Sequence, residues 1–231
     1  MKILALDTAT EGCSVSLGIG DRSIDRYAEL ERGHAEKILP MIDAVLAEGG
    51  LDLAQLDAIA FGRGPGGFTG VRLAASVAQG LAFGAGVGVV PISDLAAVAQ
   101  RVIQLNPAVR SVFAVNDARM REVYWARYAW DGGAPLAVAL VGEERVSAPG
   151  EVQFPRPAGD PPWAVAGRGL RAWPDLAERA AAVGAVLFAD LLPRASEVLA
   201  LARPVVAAGL VLDPALALPV YVRDQVAVPP S

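Results

Sequence analysis

GRGPGGFTGVR, residues 62–72, is the stretch whose reading decides the fold. Strand-like residues 56–61 (LDAIAF) lead into it, and residues 69–83 follow with Leu73, Val77 and Leu81 at helical spacing. Ala74, Ala75, Ala78 and Gly80 keep the other surfaces of that helix thin, so neighbouring backbones can come close. Gly62-x-Gly64-x-x-Gly67 has the spacing of a dinucleotide fingerprint, between a strand and a helix. Against that reading, Pro65 sits in the turn. The strand that follows ends without an acidic residue for a ribose; the nearest, Asp94, lies in a helix cap. A phosphate loop ends in Gly-Lys-Ser/Thr, and Gly67-Phe68-Thr69 supplies no lysine. Two readings stay open. Backbone N–H groups at the helix start, with Arg72 one turn in, can hold an anion, and Gly64, Gly66, Gly67 and Thr69 are then its contacts. Alternatively the glycines serve only tight turning and close packing, with Thr69 capping the helix.

Outward from this stretch, residues 2–6 (KILAL) form a short apolar run ending at Asp7. In Asp7-Thr8-Ala9-Thr10, a carboxylate at a strand tip is followed by small hydroxyl residues. That pattern suits an anion or nucleotide contact through Asp7 and Thr8, and equally an Asp turn bonded to its own backbone. Residues 13–19 and 22–29 read as strands around a Gly20-Asp21 turn, an antiparallel meander. Residues 34–48 switch to helical spacing: Ile38, Ile42 and Val45 share a face, with Leu39 and Leu46 beside it. Gly49-Gly50 stops this helix, and Pro40 is expected to kink or restart it. Residues 73–93 carry no charge, which is long enough to cross a bilayer, but their glycines and Pro91 predict a helix, a break and a strand at 87–90 instead. Ser93 is the expected N-cap of a third helix, 93–104.

Asn106-Pro107 marks the expected lobe boundary, giving lobes 1–106 and 107–231. The second lobe reads as strands at 111–115, 122–129 and 136–146, a Pro/Gly-rich loop at 148–162, and a strand at 163–166. Helices are expected near 174–182 and 195–208, the last packing back on the first lobe, and a loose tail from Asp224. Each lobe combines a sheet with helices, an α/β class. No short-period repeat is visible, although the lobes read as candidate distant copies.

The bulk properties narrow the function. A chain of 231 residues, 54% hydrophobic and 19% charged, predicts a packed core rather than disorder. Its heavy use of Ala, Val, Gly, Pro and Arg reads as compositional bias. A net charge of −5 with scattered arginines offers no basic stripe, so any nucleic-acid role runs through a partner. Cys13 is the sole cysteine and His34 the sole histidine. Together they exclude an intrachain disulfide, a cysteine zinc site and a metal site built on paired histidines. His34, near a helix start, reads as a capping or solvated residue. Four apolar residues before Asp7 are too few for a signal-peptide core, and a cytoplasmic location is expected.

Four stretches in order, ILALDTAT (3–10), GRGPGGFTGVR (62–72), NDARMREVYWA (116–126) and PVYVRD (219–224), resemble the TsaB (YeaZ) family. These are bacterial subunits in the biosynthesis of threonylcarbamoyladenosine (t6A) on tRNA. The resemblance spans nearly the whole chain, and GPG-x-FTG-x-R and DAR-x-x-EVY are its specific parts. It implies a two-lobed fold like that of actin, Hsp70 and sugar kinases, with ribonuclease H-like lobes. It also implies a catalytic paralogue, TsaD, whose HxxxH metal site follows its own glycine loop and next strand. In this chain the corresponding stretch reads VVPISDLAAVA, residues 89–99, with no histidine.

The resemblance therefore implies a chain that is not itself an enzyme and needs no cofactor. Such a chain is required for t6A at position 37 of tRNAs reading codons that start with A. It dimerises with the TsaD-type paralogue, supports the TsaE-type ATPase and meets tRNA only through the complex; it touches no membrane and can pair with itself in isolation. The family docks through two first-lobe helices, which makes Leu39, Ile42, Leu46, Leu73, Val77 and Leu81 the expected interface. Three departures stand out: Gly67 and Ala9 replace family serines, and Arg121 stands where glycine is common. They speak against productive ATP binding and leave a scaffolding role intact. The competing reading is an ATP-binding phosphotransferase of the actin-like class, using Asp7 and the Gly64–Gly67 loop. A peptidase, a label relatives have carried, lacks any metal constellation here.

Overall fold

The computed structural model describes residues 1–130, 132, 137–154 and 162–222. The first part of the chain forms β1 (Lys2–Asp7), β2 (Gly12–Ile19), β3 (Arg22–Glu29), α1 (His34–Gly49), β4 (Ala58–Gly62), α2 (Phe68–Ala85), β5 (Gly88–Ile92) and α3 (Asp94–Leu105). The second forms β6 (Ser111–Arg119), β7 (Glu122–Ala129), β8 (Ala139–Ser147), β9 (Trp163–Ala166), α4 (Gly169–Ala172), α5 (Pro174–Ala182), β10 (Val186–Phe188) and α6 (Ala195–Ala207). The tail expected from Asp224 and much of the 148–162 loop lie outside the described residues.

Two five-stranded sheets result, ordered β3-β2-β1-β4-β5 and β10-β9-β6-β7-β8. Counted within each lobe, both follow the order 3-2-1-4-5. In both, the first three strands are antiparallel and the fourth runs parallel beside the first. This is the two-lobed α/β architecture the resemblance implies.

The period of two along the strands sorts side chains into layers. Leu4 and Leu6 of β1, with Ile59 and Phe61 of β4, face α1 and α2. Ile3, Ala5, Ala58 and Ala60 face the other way, into a core shared with the second lobe. There α3 and α6 lie between the sheets. α3 packs mainly on β6, β7 and β9, whereas α6 packs on β1, β2, β4 and β5. Alanines dominate this middle layer, among them Ala97, Ala99, Ala114, Ala126, Ala164, Ala166 and Ala202, all fully buried. Part of the alanine excess is thus structural, because short side chains let helices sit close to both sheets. A third core, around Phe113, Trp163 and Leu176, fills the far side of the second sheet under α4 and α5.

Local signals decide the element ends. Ser93 caps α3 as expected, its Oγ accepting the Ala96 N–H at 3.2 Å. Gly50 and Gly86 end α1 and α2 in the left-handed region, at φ 62° and 69°, where a Cβ would be strained. Two expectations are corrected. Pro40 does not restart α1, which runs as one helix with Pro40 exposed inside it. Thr69 does not cap α2: Gly67 is the N-cap, no side chain caps the helix, and Thr69 lies in the first turn.

Candidate functional site

The glycine loop and the Asp7–Thr10 tip are one structure. A Cβ at Gly70 would stand 2.1 Å from the Thr8 carbonyl oxygen, and one at Gly66 would stand 2.5 Å from that of Ala9. Both approaches are closer than any side chain allows. The Gly67 N–H donates to the Ala9 carbonyl at 2.7 Å, and the Thr8 hydroxyl donates to the Gly70 carbonyl at 2.7 Å. The glycines therefore press the start of α2 onto the end of β1.

Above this junction, between the lobes, lies a cleft of about 930 Å³. All four stretches that carry the family resemblance line it: residues 8–10, 65–71, 116–119 with Tyr124, and Val220 with Tyr221. The last of these arrives because the chain after α6 returns along the first lobe. Leu212 exchanges backbone hydrogen bonds with Val89 at 2.9 Å, and the Val220 N–H donates to the Arg63 carbonyl at 2.8 Å.

Of the residues assigned to an anion or nucleotide contact, Thr8, Gly66, Gly67 and Thr69 line the cleft. Asp7, Gly64 and Arg72 do not. The Asp7 carboxyl is fully buried beneath the cleft floor. Arg72 turns outward, its guanidinium carbon 3.5 Å from the Phe68 ring centroid and its Nε donating to the Tyr221 hydroxyl at 2.6 Å.

Two arginines of the cleft, Arg119 and Arg168, are compensated from within. Arg168 pairs with Glu29 at 2.5 Å and with Glu11 at 3.8 Å; Arg119 pairs with Glu11 at 3.3 Å and Asp117 at 3.2 Å. The Arg168 guanidinium beside Glu29 holds that carboxyl below its ordinary value. His34 sits at the rim with Nε2 3.0 Å from the Thr10 carbonyl oxygen. Against this, Asn116 is nearly buried in the cleft wall, and neither atom of its amide has a partner among the described residues. Sequence reading did not single out Asn116, Arg168, Glu11 or Glu29. They become a site only when β2, β3, β6 and the loop after β9 meet, and no local pattern announces that.

A second network ties the glycine loop to the second lobe. Arg63 pairs with Glu144 at 3.1 Å, the Tyr128 hydroxyl donates to Glu144 at 2.9 Å, and that hydroxyl lies 3.1 Å from Ser93 Oγ. Burial, with the Glu144 charge next, pushes the Tyr128 hydroxyl well above its ordinary pKa.

The other candidate site is the outer surface of α1 and α2. Ile42 and Leu46, expected at an interface, are only 1% and 7% exposed and belong to the chain's own core with Ile38 and Val45. The face of Ile38, Ile42 and Val45 turns to the sheet, and Leu46, from the face it shares with exposed Leu39, is buried there too. Leu39 is exposed, while Leu73, Val77 and Leu81 are partly buried against the same core. Phe68 and Phe83 of α2 are exposed too. Ser76, Gly80 and Gly84 leave a bare stripe along α2, and a Cβ at either glycine would meet nothing within 4 Å.

A family model described as TsaD, tRNA N6-adenosine threonylcarbamoyltransferase, matches residues 28–228. The tRNA threonylcarbamoyladenosine biosynthesis protein TsaB of Escherichia coli K12 is 40% identical over 98% of this chain and 96% of its own length. The protein of the same name from Haemophilus influenzae is 53% identical over 55% of this chain and 53% of its own. Among solved structures, YeaZ from Pseudomonas aeruginosa superposes with a TM-score of 0.84 at 42% identity, covering 95% of this chain and 99% of that one. A Pseudomonas aeruginosa protein described as similar to peptidase YeaZ gives 0.86 at 43%, covering 96% and 99%.

Proposed function

This chain belongs to the TsaB family, and we propose that it is a non-catalytic subunit for making t6A on tRNA. In this reading it docks a TsaD-type catalytic paralogue through the outer faces of α1 and α2, and the pair supports a TsaE-type ATPase. The t6A assignment follows the name of the Escherichia coli relative, which is similar along nearly its whole length. The observation that carries the docking reading is the surface of α2. Two glycines inside a helix cost about 1 kcal/mol each relative to alanine. Among the described residues nothing occupies the space they leave. Such a groove, flanked by Leu73, Val77, Leu81 and exposed Phe83, suits another helix packed close against it.

The non-catalytic reading rests on donors. The stretch after β5 has no histidine, and among the described residues no three His, Cys, Asp or Glu groups gather as a metal site. Asp7, the one carboxylate at the strand tip, is sealed from the cleft.

Light-scattering mass tests the proposal, on this chain alone and mixed with the TsaD-type paralogue of the same cell. A mixed species that Val77→Glu abolishes supports it. No mixed species, or one indifferent to Val77→Glu, removes it; a mass doubled in this chain alone assigns the surface to self-pairing. Loss of the chain should also remove t6A from tRNAs reading A-starting codons, and normal t6A would exclude the pathway role.

A nucleotide in the cleft is the second reading, favoured by the unpartnered Asn116 amide and the uncapped start of α2. The internal pairing of Arg119 and Arg168 weighs against a triphosphate. Calorimetry with ATP on the wild type and Asn116→Ala decides it: binding that the variant loses favours the cleft.

A further inference from the structure

Asp7 ends β1 and Asp94 begins α3, and neither has any solvent exposure. Asp7 accepts the Ala9 N–H through Oδ1 at 3.1 Å, and Asp94 accepts the Gly64 N–H through Oδ2 at 2.5 Å. The remaining oxygens, Asp7 Oδ2 and Asp94 Oδ1, converge over Gly62. They lie 2.2 and 2.5 Å from the point where a Cβ at that position would stand. Among the described residues no N–H or neutral hydroxyl donates to either oxygen. Two ionised carboxylates here would be like charges in a dry site, each with an acceptor lacking a donor. A single proton between them removes both penalties.

We propose that Asp7 and Asp94 share one proton, and that this acid–carboxylate pair is the clasp holding the glycine loop against the tip of β1. Asp94 is the donor: burial, then the charge of Asp7, hold its carboxyl well above the ordinary range. Burial raises Asp7 as well, but the hydrogen bonds from Asp94 and the Ala9 N–H, and then the His34 ring, act against it. Asp7 therefore carries the negative charge of the pair.

The clasp reaches both ends of the loop. Asp94 takes the Gly64 N–H and returns its own N–H to the Gly64 carbonyl at 3.0 Å. Asp7 fixes Ala9, whose carbonyl takes the Gly67 N–H. Other titratable groups approach from three sides: His34 from α1, Arg63 from the loop, and Cys13 from β2. His34 is held by Thr10 and Arg63 by Glu144, so neither forms an ion pair with the clasp.

A carboxyl whose folded pKa exceeds its unfolded value of about 4 gives stability that is full below that value. That stability is lost as pH rises through the folded pKa. The clasp should therefore weaken on the alkaline side, and the melting temperature of the wild type should fall there.

Infrared spectroscopy of the whole chain tests this from about pH 5 to about pH 9, beside Asp7→Asn and Asp94→Asn and with no partner present. At about pH 6, where isolated carboxylates are ionised, the wild type should retain a protonated-acid carbonyl band that Asp94→Asn lacks. The side-chain amide introduced by Asp94→Asn is a permanent donor, so this variant should flatten the alkaline fall in melting temperature. Absence of the band in the wild type overturns the proposal, whatever the variants do. A melting profile of Asp94→Asn parallel to the wild type also overturns it. Neither readout involves docking, so the clasp stands or falls separately from the proposed function.

Discussion

Two glycine-to-alanine changes in the same helix should move stability in opposite directions. On propensity alone, any interior Gly→Ala in α2 gains about 1 kcal/mol. At Gly80 nothing lies within 4 Å of the added methyl, so Gly80→Ala should keep that gain. At Gly70 the methyl would stand 2.1 Å from the Thr8 carbonyl oxygen and 3.0 Å from its carbon. That is backbone on both sides, so α2 must shift off the end of β1. Overpacking of this type costs about 1–3 kcal/mol or more. The shift also strains the Thr8 hydroxyl bond to the Gly70 carbonyl, worth about 1 kcal/mol. After subtracting the propensity gain, Gly70→Ala should destabilise by about 1–3 kcal/mol. Urea unfolding with a constant m-value reads both changes, and the melting temperature should move about 2–4 °C per kcal/mol for a chain of this size. A Gly70→Ala variant as stable as the wild type would refute the close-approach account of the loop. If the proposed docking on α2 holds, the same Gly80→Ala variant should bind a TsaD-type paralogue less well while being the more stable protein, since its methyl fills the groove.

Other consequences can be checked alongside. Ile42→Ala should cost about 2–5 kcal/mol, as a core cavity does; Leu39→Ala, on the exposed side of α1, should stay within about 0.5 kcal/mol. Equal effects in urea unfolding would contradict the inward orientation of α1. Burial, with the Asp7 charge behind it, pushes the Cys13 thiol up to about 11, so a thiol reagent near neutral pH should label it only through unfolding. Fast stoichiometric labelling of the native chain would contradict its burial. Arg121 sits at φ 62°, in the left-handed region. Arg121→Gly should therefore stabilise by about 0.5–1 kcal/mol, relief of strain exceeding the added chain entropy. A lowered melting temperature would argue against that strain.

Much of the fold was legible because its signals are local. KILAL ending at Asp7, the Ser93 cap and the Gly49-Gly50 stop each depend on neighbours a few residues away, and each element appears where they place it. The interface assignment at Ile42 and Leu46 failed for a different reason. Helical spacing groups residues on a face, but a helix with two apolar faces does not say which one meets its sheet. The architectural reading of the glycine loop was legible; the partner pressing on it, the Thr8–Ala9 backbone, was not. Asp94 appeared in the sequence only as a residue too late to hold a ribose. Its buried contact with Asp7 depends on β4 lying between β1 and β5, a long-range pairing with no local trace. Asn116 and Arg168 were invisible for the same reason.

The middle layer bears on how the protein comes into being. Each lobe lends its last helix to the other's sheet: α3 leaves the first lobe to lie on the second, and α6 returns. The two lobes are therefore not separate in cooperativity. A fragment ending after α3 would carry that helix without the second sheet and a first sheet stripped of α6. The first half should therefore not fold by itself, and its sheet should gain its covering only once α6 has been made. Unfolding should accordingly be one all-or-none transition despite the two-lobed outline.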